Sequence, residues 1–251
     1  MADLDRNYAQ RVSVGRAETG VIDQGLRDYM LRVYNYMAVG VGITGVVAYL
    51  TFAMAVTQTD AGLQLTSFGN FIFASAFKWV VILAPLAMVF FISARISSMS
   101  ASGAQMAFWV FSALMGLSLG SIFLVYAHDS IARVFFITAA SFGALSLYGY
   151  TTQKDLSGWG SFLFMGLIGI IIAMLVNLFI GSTALQFAIS VIGVLVFAGL
   201  TAYDTQQIKE MYYVGDDGTV AGRKAVMGAL RLYLDFINLF MMLLSLFGDR
   251  R

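Results

Sequence analysis

Apolar residues gather along this chain in seven long blocks, near 31–55, 78–95, 104–127, 131–150, 159–180, 184–208 and 225–247. Each is close to the roughly 20 residues with which a helix crosses about 30 Å of hydrocarbon. The joints between them are short and polar or glycine-bearing, except Val56–Phe77 and the charged stretch Lys209–Lys224. This pattern predicts an all-α polytopic membrane protein of seven transmembrane helices, with a polar arm over residues 1–28 and one transmembrane domain over 29–251. The last block, Leu230–Gly248, differs from the others in carrying Arg231, Asp235 and Asn238 at a depth where lipid tolerates no such group. Side chains of that kind face a bundle interior or a water-filled cavity, so the last helix is expected to be central, with the other spans around it.

Composition agrees with the pattern: 59% of residues are hydrophobic, 12% are charged, and the mean hydropathy is +0.81. Such a chain has a lipid bilayer as its first partner. A formal charge of +1 provides no basic patch for nucleic acid. Cysteine is absent, which removes disulfides, thiolate metal sites and cysteine nucleophiles. Residues 1–28 are longer and more mixed in charge than the start of a cleavable signal peptide, so the first span is expected to be retained. Basic residues concentrate on cytoplasmic segments. Arg6, Arg11, Arg16, Arg27, Arg32, Arg95, Lys154, Lys209, Arg223 and Lys224 fall on one side, against Lys78, Arg133, Arg250 and Arg251 on the other. The N-terminus is therefore expected in the cytoplasm and, with seven crossings, the C-terminus outside.

Several short motifs carry less than their letters suggest. Gly40-Val41-Gly42-Ile43-Thr44-Gly45 spells a dinucleotide fingerprint, but that fingerprint needs a preceding strand and a soluble βαβ unit. Here it lies inside the first span, where glycines serve close helix packing. Gly116 and Gly120 form a similar small-residue face in the third span. Pro85, the only proline, is expected to free the Val81 carbonyl and bend the second span. His128 beside Asp129 is read as a loop residue at the outer surface, because the chain has no second histidine. Trp79 with Lys78, and Trp159 near Lys154, mark membrane boundaries. Asn177, taken as midway along the fifth span, is open to two readings, a pore-lining group or a bond to a neighbouring helix.

Beyond Asp235, one other acid lies within an apolar run, Asp204 in the sixth span. The two helices are consecutive and hence antiparallel. If the sixth runs to about Tyr212 and the seventh begins near Met227, each aspartate lies eight residues inside its helix end, or roughly 12 Å at 1.5 Å per residue. Two carboxylates in one poorly solvated place do not both ionise cheaply, so they are expected to share a proton and titrate as a pair. The alternative is structural: Arg231, one turn before Asp235, pairs with it within the helix, and Lys209 or Arg95 serves Asp204 in the same way.

At this point the residues carry a resemblance. Ala202-Tyr203-Asp204-Thr205-Gln206-Gln207-Ile208-Lys209, followed by Leu232-Tyr233-Leu234-Asp235-Phe236-Ile237-Asn238-Leu239-Phe240, resembles the paired signature of the Bax inhibitor-1 family, and the seven-span layout is similar over nearly the whole chain. The resemblance implies a central last helix, a di-aspartyl sensor and, in bacterial members, a pH-dependent calcium leak in the inner membrane. It also implies an arginine near the cytoplasmic end of the second span that latches to the dyad, for which Arg95 is the candidate. Where the family pattern has further arginines and an acid on that span, this chain has Arg95 among apolar residues, and Arg231 is a second latch candidate.

Three functions compete. An ion leak would pass calcium, as transported or transiently bound ion, by Asp204 and Asp235. Calcium takes six to eight oxygens, so Asn238 and Gln207 are candidate neighbours in its shell, and no resident cofactor is expected. An intramembrane aspartyl protease also places Tyr-Asp on one span and Asp on the next. Here Leu232-Tyr233-Leu234 replaces the glycine-bearing approach to the second aspartate, and no proline motif follows, so the chain is read as not an enzyme. The third function is a non-conducting regulator that binds a membrane protease or other membrane proteins, with the polar arm as a handle. A light-driven pigment is excluded, because all four lysines lie at boundaries or in loops.

Overall fold

The computed structural model describes residues 24–59 and 62–251; the expected polar arm, up to residue 23, lies outside them. Seven helices among the described residues are long and apolar enough to cross a membrane. They are α1 (Gln24–Ala55), α2 (Lys78–Arg95), α3 (Ala101–Leu119), α4 (His128–Thr151), α5 (Ser157–Ile180), α6 (Thr183–Glu210) and α7 (Gly218–Phe247). A 3-10 turn, Ile96–Ser98, prolongs α2, and a short helical turn, Ile122–Val125, follows α3.

The long joint after α1 is structured. Strands β1 (Val56–Thr59) and β2 (Gly62–Leu65) pair antiparallel, with Val56 opposite Leu65, and a π-helical turn at Asn70–Ala74 leads on to α2.

The last helix is central. α7 packs against α1, α3, α4 and α6, whereas α2 lies on α3 and α5 lies on α6. Sixteen residues of α7 are buried, including Leu232, Tyr233, Leu239 and Leu244. Small residues bring the neighbouring backbones close. Gly222 faces Ala101, Gly228 faces Ile208, and Gly149 of α4 lies so near the Ala202 carbonyl of α6 that no Cβ would fit. Polar bonds inside the bundle are few and paired. Tyr233 Oη lies 2.6 Å from Thr44 Oγ1, which reaches the Ser112 carbonyl at 2.8 Å. Tyr34, Ser146 and Thr205 link α1, α4 and α6 through hydroxyl contacts of 2.6 and 2.9 Å.

The glycine motifs are packing faces. Gly40 meets Phe108 and Ser112, Gly116 meets the Thr44 carbonyl and Val47, and Gly120 meets Thr51, which together close α1 on α3. Other expectations need correcting. α1 already includes Gln24 and α7 begins at Gly218, both well before the apolar blocks do. The reason at α7 is a cap: Asp217 Oδ1 accepts hydrogen bonds from the Thr219 and Val220 amides, both at 2.8 Å. His128 is the first residue of α4, not a loop residue, and its ring stands edge-on to Phe52 and Phe123. Asn177 lies in the last turn of α5, and bonding to a neighbouring helix is its observed role: its Nδ2 donates to Gln186 Oε1 of α6 at 3.2 Å.

After α7 the chain is tied to the α3–α4 connection. Arg250 forms a bridge with Tyr126, the Asp249 amide donates to Ser130 Oγ, and the Arg251 amide donates to the Val125 carbonyl. The tail thus lies at the opposite end of α7 from the α6–α7 loop.

Candidate functional site

Asp204 is six residues from the end of α6, and Asp235 is in the middle of α7. Because the two helices pack along one another, both aspartates line the same cleft. Asp235 is 5% exposed, and its Oδ2 is buried with no hydrogen-bond partner among the described residues. Asp204 is half-buried beside it.

The pair lies in a cleft of about 540 Å³ whose walls come from three helices. α5 gives Gly160, Ser161, Phe164 and Leu167; α6 gives Phe197, Leu200, Tyr203 and Asp204; α7 gives Arg231, Leu234, Asp235 and Asn238. The wall is apolar except around the acids. Tyr203 reaches the cleft because Gly160 makes room for it: a Cβ on Gly160 would lie 2.7 Å from the Tyr203 ring.

The other residues singled out in the sequence divide between the cleft and elsewhere. Arg231 lines it and is exposed, with no ion pair within 4.0 Å to either aspartate. Asn238 lines it too, while its Nδ2 donates to the Leu234 carbonyl at 2.8 Å. Gln207 does not line it; its amide donates to Glu210 at 3.0 Å and contacts Ser157 at 3.5 Å. Arg95 is exposed at the end of α2, on a helix that packs against α3, and is not among the lining residues. Lys209 does not serve Asp204; its Nζ donates to the Tyr150 carbonyl at 3.0 Å and covers the Tyr150 ring.

Gln206 was missed in the sequence. It is buried, and its amide donates to the Lys154 carbonyl and accepts from the Leu156 amide, both at 2.8 Å, fastening the α4–α5 connection to α6. The available signal was a second glutamine next to Gln207 in an otherwise apolar span.

No group of three or more histidine, cysteine or acidic side chains suited to a metal occurs among the described residues. Two carboxyls supply part of a calcium shell and leave the rest to amide, carbonyl or water oxygens.

A seven-span bundle with a carboxyl pair on its central helix and that helix's neighbour defines a class of polytopic membrane protein. The sequence matches the family described as "Inhibitor of apoptosis-promoting Bax1" over residues 26–251, and this chain belongs to that Bax inhibitor-1 family. It is 48% identical to the inner membrane protein YbhL of Escherichia coli over 229 residues, covering 90% of this chain and 94% of the relative. An uncharacterized protein of Rickettsia prowazekii, RP147, is 46% identical over 229 residues, covering 91% and 92%. One from Caulobacter vibrioides is 44% identical over 252 residues and covers both chains in full.

Proposed function

We propose that this integral membrane protein is a slow, pH-sensitive calcium leak whose ion passes the Asp204–Asp235 pair. The observation that carries this reading is the buried Oδ2 of Asp235, which has no hydrogen-bond partner among the described residues although it lies in a cleft large enough for water and a cation. An unsatisfied buried acceptor costs about 1–3 kcal/mol, and a proton or a calcium ion relieves that cost. Acid-to-acid contact is itself a hydrogen bond only when one partner is protonated. Proton and cation therefore compete for the same oxygens, which makes the leak depend on pH. Arg231 is the counter-charge in this reading, since it is the basic group lining the cleft.

The pair is read as non-catalytic, and no resident cofactor is required. By the distribution of basic residues, the α6–α7 loop faces the cytoplasm. YbhL, named an inner membrane protein, supports the same membrane for this chain.

The test is calcium flux into liposomes containing the purified protein, measured between about pH 5 and 8, since two interacting carboxyls titrate as a pair. Flux from the unsubstituted chain should vary with pH, and Asp204→Asn or Asp235→Asn should flatten that dependence. Two monodisperse Asn variants that retain the original pH profile would sink the carboxyl mechanism and favour a non-conducting regulator.

A further inference from the structure

The cleft stops short of the membrane face on which the chain's tail is tied down. Its last lining residues in that direction are Leu167, Phe197 and Asn238. One turn further along α7, Met242 lies flat over the backbone of α6. A Cβ on Gly193 would stand 2.7 Å from Met242 Sδ and 2.8 Å from its Cγ, and Met242 is itself buried. At 1.5 Å per residue, Met242 is roughly 10 Å beyond Asp235, and Ser245 is roughly 15 Å beyond it.

A polar network closes the same three helices just past the methionine. Gln186 Nε2 and Ser190 Oγ, both on α6, donate to Ser245 Oγ of α7 at 3.3 and 2.9 Å. Asn177 of α5 donates to Gln186 Oε1, and its Oδ1 accepts from the Ser182 amide at 3.0 Å. The oxygens of Asn177, Gln186 and Ser245 are thus already accepting hydrogen bonds within the network. It has little to offer a passing cation and much to offer as a clamp on the ends of α5, α6 and α7.

We propose that Met242 seated on Gly193, held in place by the Asn177–Gln186–Ser190–Ser245 network, is a closed gate between the carboxyl cleft and the far membrane face. The proposal rests on the reading of the cleft as an ion path. An apolar constriction of this kind stops ions by excluding water, so its opening is a matter of wetting and needs no charged residue.

The absence of cysteine from the sequence makes the test direct. A thiol reacts as its thiolate, and only where water and reagent reach it. A single Asn238→Cys substitution therefore reports water beside the carboxyls. In proteoliposomes of known orientation, a membrane-impermeant methanethiosulfonate should label it from the face bearing the α6–α7 loop and not from the opposite face. Adding Met242→Ala or Ser245→Ala should speed labelling from the opposite face by about ten-fold or more, as expected when an apolar constriction wets. Labelling from the loop face shows that each variant is folded. Ready labelling from the opposite face without a second substitution would overturn the gate, as would continued protection in both double variants. Calcium flux is read on these vesicles and on vesicles holding the unsubstituted chain. Absence of flux at every pH from the unsubstituted chain would overturn the leak alone, whereas flux with unaltered protection would overturn the gate alone.

Discussion

Helices α5 and α7 invert the relation between apolarity and burial familiar from water-soluble proteins. α5 is the most apolar of the seven spans, yet it buries two residues, Leu163 and Ile170. α7 holds Arg231, Asp235 and Asn238 and buries sixteen. In water, apolar residues go inside because the solvent rejects them. In a bilayer the tails are as apolar as leucine, so no such force separates inside from outside, and close packing and polar contacts decide. α5 is a lipid-facing wall, and its side chains are uniform. α7 is a packing core, and its side chains are varied: small where α6 and α3 approach, aromatic where α1 and α3 leave space, and charged where the cleft begins.

That contrast is breakable by mutation. The largest effect should come from Leu239→Ala in α7, where the side chain is 1% exposed; loss of buried volume there should cost about 2–5 kcal/mol. The matched change Leu178→Ala in α5, 72% exposed, removes only lipid contact and should fall within about 0.5 kcal/mol. Thermal unfolding in one detergent compares the two, and equal losses would refute the contrast. A smaller effect is expected from Tyr233→Phe, which removes the bond to Thr44 and should cost about 1 kcal/mol, with pH-dependent flux retained.

The smallest effect belongs to the helix starts, where α5 and α7 are alike. The Val220 and Thr219 amides hold the Asp217 carboxyl below the usual carboxylate range, and the Ser157 hydroxyl and amide do the same for Asp155. A depressed folded value means that the contribution is fully present above the unfolded value, about 3.9, and is lost as pH falls through the folded one. Asp217→Asn should therefore lower the midpoint of unfolding slightly at neutral pH and remove part of its decline in acid. A variant that declines as steeply as the unsubstituted chain would show that the cap does not contribute.

Charged residues within apolar blocks stand out against their background, which is why Asp204, Asp235 and Arg231 were legible in the sequence, and with them the centrality of α7. Span ends were less so, because a cap such as Asp217 prolongs a helix past the apolar block that announces it. Arg95 drew notice by its place at the end of a span, but whether it reaches the cleft depends on how α2 is seated, and local sequence does not encode that. Met242 over Gly193 was invisible for a related reason: each is unremarkable in its own helix, and only the register between α6 and α7 joins them.

The order of the helices has a consequence for how the protein is made. The core of the bundle is α7, and α7 emerges from the ribosome after the four spans it packs against. Until it arrives, α1 and α3 on one side and α4 and α6 on the other lack the surface they share, and Thr44 lacks the tyrosine that meets it. Domains generally fold as units while the chain is being synthesised, yet this one stays hollow to the end, a horseshoe waiting for its pin. A chain stalled in the α6–α7 loop would have its first six spans and still lack the helix on which four of them pack.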